Sequence, residues 1–574
     1  MAKVATALLR EAFIEPIRFA LLVDDKFPIY SALAEGRFDA ALDHPRAKAL
    51  FELCRSRGWL CDVDNRGTVA GKFEEDNHLH QSDLLILDFN LDPADQDDPT
   101  AALKILQQLS ASDHFNLVIV YTNADAVPVT RDIVYSLGGG ADQDQQAADT
   151  ARRILEDLDE AVLETIAQTL NWETVEDFLR GVNPRNSATD LRARLQEAGI
   201  EKGAMAGVVS QLAAQRMQRR VKAEVVKGRR TDIPVDSSLQ RTGSAHWVAQ
   251  GNVFVAIVNK AEEPAVLLDR LVEALEVWDP SPLHVMMMQA RAALEKAGTL
   301  ADRKVLETPR LQAGWLLRIL LGKTDSDRRE SVGELYGRLF ERLARKVEPS
   351  IVDFGLRLID ADAVSDPTAG AKKLAGAVHN LGAEQVYHAL NEHLSSDTCP
   401  DGPMTTGVIF KGHRGQAEQF WLCVSPACDL VPGQNLRGWD GDLKPLRPVS
   451  VTRLKPIRSA QAISAALQQA TIGRHLFLLV DNRAFAFEVA EENSRQMELE
   501  IALLENDGQI ADGRFRGHVI DLDADRRPVF SAIDFEVLAK LRGDYANRLL
   551  AQSGQQRSRI GVDFFNLPKT QAPG

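Results

Sequence analysis

The sequence predicts an α/β fold: a doubly wound parallel sheet with a large helical insertion, followed by an α-helical domain and a small β-rich C-terminal domain. Three observations predict it. Apolar runs of buried-strand length alternate with amphipathic helical stretches over the first part of the chain. A long leucine-rich helical region follows, and a cluster of short strand-like runs comes last.

IRFALLVDD (17–25) is the first buried run, and it ends in two acids. Residues 45–58 carry helical periodicity and lead into a short strand around Leu60–Val63. SDLLILD (82–88) is a second buried strand ending in an acid. TAALKILQQLSA (100–111) is an amphipathic helix with Thr100 as its expected N-cap, and FNLVIVYT (115–122) is a third apolar strand. Strands joined through helices imply parallel pairing with right-handed crossovers.

From 124 to 244 the chain is mostly helical and polar. Gly138-Gly139-Gly140 and the Asp/Gln-rich stretch after it form a loop, and helices are expected over 150–170, 172–180 and 187–227. WVAQGNVFVAIVN (247–259) resumes buried-strand character. Lys260 follows at once, then PAVLLDRLVEALEV (264–277), a helix with Pro at its start. Helical segments are expected at 282–297, 308–322, 329–345, 350–360 and 370–395. From about Gly402 the strands TTGVIF, EQFWLCVSP, HLFLLVD and RAFAFEVA appear, and a last helix over 532–552 leads into RSRIGVDFF. The expected divisions are 1–123 and 245–280 for the two parts of the α/β domain, 124–244 for its insertion, 281–398 for the helical domain and 399–574 for the β-rich domain.

At 574 residues the chain is too long for one core. A formal net charge of -15 disfavours general nucleic-acid binding, which needs clustered Lys and Arg. The five cysteines, odd in number and irregularly spaced, point to reduced thiols and a cytoplasmic location. The N-terminus does not read as a signal peptide, and no apolar stretch of ~18 residues suggests a membrane span.

The chemistry lies at the strand ends. Asp24 and Asp25 follow the first strand and Asp88 the second. Ligands of open parallel sheets bind beyond the carboxyl ends of the strands. Acids gathered there repel one another unless a cation neutralises them, and carboxylates with water suit Mg²⁺. A carboxylate can also attack phosphorus, a reaction that needs charge neutralisation and positioning. Thr122 can supply a hydroxyl and Lys260 a cation.

These segments resemble the motifs of response-regulator receiver domains, which have a flavodoxin-like fold. LLVDDKF is similar to their acidic pair and LLILDFNLDP to their phosphoacceptor segment. VIVYTN resembles the strand ending in the phosphoryl-contacting Thr, and VFVAIVNKAEEPAVLLDRLVEAL the last strand, Lys and final helix. The resemblance implies that Asp88 is the phosphoacceptor and that Thr122 and Lys260 contact the phosphoryl group. It implies Mg²⁺ held by Asp24, Asp25, Asp88 and the backbone carbonyl of Asn90, with a sensor histidine kinase as partner. The chain departs from the family pattern at Ala261 (usually Pro), Asn123 (usually small), Ile257 (usually the switch aromatic) and Pro93 (one position late). It also carries the insertion before Lys260.

Other candidates have plainer readings. Cys428, in WLCVSPACDLVPG, could pair with His413 as nucleophile and base or join Cys423 and Cys399 at a metal. A turn closed by Asp429 is the simpler account. Gly322-Lys323-Thr324 lacks the rest of a P-loop. The basic run RMQRRVKAEVVKGRR (216–230) reads as a helix surface. The insertion, helical middle and P-A-C-D-L segment resemble the large receiver proteins of bacterial antiphage two-component systems, in particular the effector-less, phosphate-buffering receiver of Detocs. Two functions stay open: a phosphate acceptor and buffer, or a phosphorylation-controlled effector or adaptor acting through the domain around Cys428. A receiver that serves only as a docking platform is a third. An effector receiver of the same pathway and a second copy of the chain are further candidate partners.

Overall fold

The structure is a computed structural model. It describes residues 4–558 except 31–34, 36–38, 66–81, 93–94, 96, 139–144, 183–185, 223–224, 226–234, 240–242, 299–304, 306, 324, 360–363, 376–380, 433–437, 491–495 and 524. Pro93, Gly139-Gly140, the end of the basic run and the tail beyond 558 therefore lie outside the described residues. The chain divides into two compact units, Met1–Arg318 with Val332–Ser365, and Ile319–Ser331 with Asp366–Gly574.

The first unit is built on a seven-stranded sheet of order β2-β1-β3-β4-β7-β6-β5. β1 (Phe19–Val23), β2 (Leu60–Asp64), β3 (Leu84–Leu87), β4 (Asn116–Thr122) and β7 (Val253–Asn259) pair in parallel. β5 (Asp236–Ser237) and β6 (His246–Gln250) extend the β7 edge in antiparallel fashion. The run 247–259 is thus a hairpin. Gly251, at φ 52°, and Asn252 make the reversal, a conformation glycine adopts without steric cost.

Strand alternation sends side chains to two cores. Leu21, Val23, Leu85, Leu87, Val118 and Val120 face one side, and Ala20, Leu22, Leu84, Ile86, Ile119 and Tyr121 the other. Burial on both faces explains the near-continuous apolar runs. α1 (His44–Ser56) and α9 (Leu267–Trp278) cover the second face, while α2 (Thr100–Ser110) and α3 (Ala126–Gly138) cover the first. Thr100 is the first residue of α2 rather than its cap. Asp98 accepts from the Thr100 backbone N–H at 3.0 Å and from its hydroxyl at 2.5 Å.

The insertion adds α4 (Gln145–Glu156), α5 (Glu160–Gln168), α6 (Trp172–Leu179), α7 (Thr189–Glu197) and α8 (Lys202–Gln218), which share the first core. These helices are shorter than expected. Asp159 caps a new helix by accepting from Ala161 N–H at 2.9 Å, and Gly199, at φ 78°, ends α7. Basic residues at and beyond the end of α8 are engaged within the unit. Arg220 bonds Asp132, Lys222 pairs with Asp98, and Arg131 and Arg216 lie 4.1 and 4.4 Å from the Trp172 ring.

α10 (Pro282–Ala297) and α11 (Pro309–Leu320) follow. α12 (Asp325–Leu358) runs through Pro349, where two helices were expected, and loses one backbone hydrogen bond there. The expected helix 370–395 is instead α13 (Pro367–Leu374) and α14 (Ala383–Ser395).

The second unit holds an antiparallel nine-stranded sheet. β8 (Ser396–Asp397) and β9 (Gly402–Pro403) are short, and β16 (Gln509–Ile510) pairs with β9 in a separate ribbon. The main strands are β10 (Val408–Arg414), β11 (Ala417–Cys423), β12 (Arg447–Ile457), β15 (Glu498–Leu504), β17 (Arg514–Leu522) and β18 (Pro528–Leu541). β11 pairs with both β10 and β12, so the path β11-β10-β18-β17-β15-β12 closes into a small barrel. β13 (His475–Val480) and β14 (Arg483–Glu488) continue from β12. Residues 532–541, expected as helix, form the end of β18, and the terminal helix α15 is Gly543–Arg557. Ile533, Phe535, Ala539 and Leu541 are buried at alternating positions, and this packing overrides the helix-forming residues between them.

Candidate functional site

Four adjacent parallel strands end at one place. β1 delivers Asp24 and Asp25, β3 delivers Asp88, β4 ends in Thr122, and β7 is followed by Lys260. Backbone bonds hold the register: Asp88 N–H donates to Val23 O at 2.8 Å and Lys260 N–H to Thr122 O at 2.7 Å. One oxygen of each acid lies within 4.8 Å of the others. The Lys260 ammonium bridges two of them, 2.7 Å from Asp24 Oδ2 and 2.8 Å from Asp88 Oδ2. Asp24, Asp88, Thr122 and Lys260 are all buried.

Burial raises the Asp24 carboxyl above its usual range, against the pull of Lys260 and with the push of Asp88. Burial, then Asp24, raises Asp25 as well. For Lys260, burial opposes the charge, but the two carboxylates outweigh it and the net shift is upward. Asp25 Oδ1 is buried with no hydrogen-bond partner among the described residues. The cluster thus gathers three carboxylates around one ammonium, and one of these acids, Asp25, carries the unmatched oxygen. Thr122 Oγ1 accepts from Ala124 N–H at 3.2 Å, which leaves its hydroxyl proton directed elsewhere. Asn90 lies half-buried in the loop leaving β3. All the residues singled out from the strand ends converge here.

Residues 16–171 match the family model described as the response receiver domain. The N-terminal α/β fold is a receiver domain. Neither the search of curated proteins nor that of solved structures found a match. A receiver domain accepts a phosphoryl group on an aspartate from a histidine kinase in a two-component pathway. Receiver domains generally hold Mg²⁺ through an acidic cluster, and the Asp24, Asp25 and Asp88 carboxylates, with the unmatched Asp25 oxygen, fit that ion.

Around this receiver site, Ile257 is buried against the first core and stands opposite His246 of β6, so this face of the sheet edge is packed within the unit. Ala261 is exposed, and its N–H donates to Asn259 Oδ1 at 2.8 Å. Sequence reasoning passed over Arg46 and Asp43, at the start of α1. Arg46 Nη2 donates to Lys260 O at 3.1 Å, and Asp43 N–H donates to Lys26 O at 2.8 Å. Contacts across so many intervening residues leave no local pattern to read.

The second candidate does not assemble. His413 pairs with Glu418 at one end of the β10–β11 hairpin, whereas Cys428 lies beyond Cys423 at the other. The five residue steps of strand from Glu418 to Cys423 span roughly 16 Å. Cys428 Sγ lies 3.4 Å from Asp429 Oδ1, and that bond raises the thiol above its ordinary value, the reverse of activation. Burial pushes the Cys423 thiol up to about 12. The turn Ala427–Leu430 is held by Arg447, which donates to Asp429 O at 2.7 Å and Val431 O at 3.1 Å. Arg447, rather than the Asp429 side chain, secures it.

Proposed function

We propose that Asp88 accepts a phosphoryl group from a sensor histidine kinase and that the protein acts as a phosphate acceptor and buffer in a two-component pathway, with antiphage defence as its setting. The observation that carries the chemistry is the Lys260 ammonium between Asp24 and Asp88 at 2.7 and 2.8 Å. In this reading an Asp88 oxygen attacks the phosphorus of a phosphohistidine. The new O–P bond forms as the N–P bond breaks, and the imidazole leaves with the nitrogen electron pair and takes up a proton. Lys260 and the Thr122 hydroxyl hold the phosphoryl oxygens. Asp24, Asp25, Asp88 and the Asn90 carbonyl would hold Mg²⁺, which when bound neutralises charge on the transferring group.

The buffering role is supported by the resemblance to effector-less receivers and by Ile257 at the position of the switch aromatic. The expected five-segment division of the chain, a cytoplasmic location and a second receiver protein as downstream partner belong to the same proposal. A second reading, an adaptor working through the C-terminal barrel, is favoured by the size of that domain. The separation of His413 from Cys428 argues that such a domain binds rather than cleaves.

Incubation with Mg²⁺ and acetyl phosphate, and then with the cognate kinase, tests this by intact mass. One added phosphoryl group in wild type and none in Asp88→Ala is the expected result. Rapid decay of the adduct supports a buffer, a long-lived adduct supports a switch, and no adduct from either donor overturns the proposal.

A further inference from the structure

We propose that Arg46 is a positioning residue for phosphoryl transfer, fixing the backbone of Lys260 and thereby its ammonium group. The inference rests on acceptance at Asp88. Arg46 lies on α1, and its Nη2 reaches the carbonyl oxygen of Lys260 at 3.1 Å. Its Nη1 lies 3.3 Å from Asp43 Oδ2, its own N–H donates to Asp43 Oδ1 at 3.1 Å, and its guanidinium sits 5.7 Å from the centre of the Tyr121 ring. Asp43 N–H in turn donates to Lys26 O, on the loop that carries Asp24 and Asp25. The Asp43–Arg46 pair therefore ties the acidic loop after β1 to the cationic loop after β7.

The tie matters because the sheet gives out at this point. The β4–β7 ladder ends at Thr122 opposite Asn259, and the bond from Lys260 N–H to Thr122 O is its last rung. Beyond it, Ala261 has no ring to restrict φ. Lysine has a long flexible stem, so its ammonium goes where its backbone and partners send it. Three side chains restrain the segment: Asn259 takes Ala261 N–H at 2.8 Å, Tyr121 Oη donates to Glu262 O at 2.5 Å, and Arg46 holds the carbonyl of Lys260 itself. The Arg46 bond is charge-assisted and comes from a rigid fork, which suits it to fixing a peptide plane.

The test uses the full chain with Mg²⁺ and acetyl phosphate, following the adduct by intact mass against donor concentration. Arg46→Gln should lower the saturating rate about tenfold with the donor KM unchanged, since one charged hydrogen bond is at stake. Arg46→Lys, which keeps the charge and a donor, should recover part of the rate. In a Lys260→Met background, Arg46→Gln should add no further loss, because its effect passes through that lysine. The inference is overturned if Arg46→Gln reacts as fast as wild type, or if it costs the same factor with Lys260 absent. Failure of wild type to take up phosphate would instead remove acceptance at Asp88, and the inference with it, so the wild-type control separates the two failures.

Discussion

Lys260 and Asp88 stand 172 positions apart in the chain and 2.8 Å apart in space. The whole insertion lies between them, yet the pairing of β4 with β7 returns Lys260 to the same sheet edge. The same ammonium binds Asp24, so a single cation restrains two buried carboxylates.

Lys260→Met should therefore expose an electrostatic fault. Without the ammonium, Asp24 and Asp88 face each other in a buried site, and breaking a buried pair costs about 3 kcal/mol or more. Added Mg²⁺ should recover more stability in this variant than in wild type, because the lysine no longer competes for the same oxygens. At a Mg²⁺ concentration a hundredfold above Kd, binding alone contributes about 2.7 kcal/mol. Thermal unfolding in EDTA and in Mg²⁺ reads both effects. The rate of adduct formation should fall about a hundredfold, the usual cost of removing one preorganised charge partner. Equal Mg²⁺ responses in the two proteins would contradict this account.

How far the sequence reveals this arrangement depends on the distance over which each feature is encoded. Asp24, Asp88 and Thr122 are legible because each closes a short apolar run, and a polar residue at a buried strand end is a local signal. The hairpin β6–β7 hid inside one run because Gln250-Gly251-Asn252, at its turn, is a short polar break between the apolar stretches Trp247–Ala249 and Val253–Val258. β12 reads poorly because RPVSVTRLKPI contains two prolines and five basic or hydroxyl side chains, two of which, Arg447 and Thr452, are buried together with Val449 and Val451. The segment AIDFEVLAKL contains good helix formers, and only its pairing with β10 and β17 makes it a strand. Barrel closure and the reach of Arg46 to Lys260 depend on partners far away in sequence.

The docking of the insertion gives a second prediction. Asp132 is 1 % exposed and is bound by Arg220 at 3.1 Å through two nitrogens. Burial raises its carboxyl above the usual range, and Arg220 opposes that shift. Arg220→Ala leaves the carboxylate buried without this partner and should cost about 2 kcal/mol, discounted because Arg220 itself faces solvent. Asp132 should then hold its proton more tightly still. A folded-state value above the unfolded one favours the folded form in acid, and this advantage is lost as pH rises through the folded value. The penalty of the variant should be largest near neutral pH and shrink as pH falls, measured by urea unfolding at several pH values. A penalty independent of pH would show that Asp132 is not the group left behind.

His284 carries the last prediction, with the opposite sign. Its ring packs 5.1 Å from both Phe115 and Trp278 and 6.3 Å from Phe13, and its Nε2 is buried with no hydrogen-bond partner among the described residues. Burial lowers the imidazole below its ordinary value of 6.5. The unfolded chain therefore takes up this proton first as pH falls through 6.5, and the folded state loses stability from there down to the lowered value. Each unit of separation is worth about 1.4 kcal/mol. His284→Phe keeps an aromatic ring in the cluster and removes both the orphaned nitrogen and the titration. Its unfolding free energy should equal or exceed that of wild type at neutral pH, and the gap should widen below pH 6.5. If the two proteins lose stability in parallel on acidification, the ring of His284 has kept a proton partner, and the acid sensitivity of this unit has to come from its carboxylates.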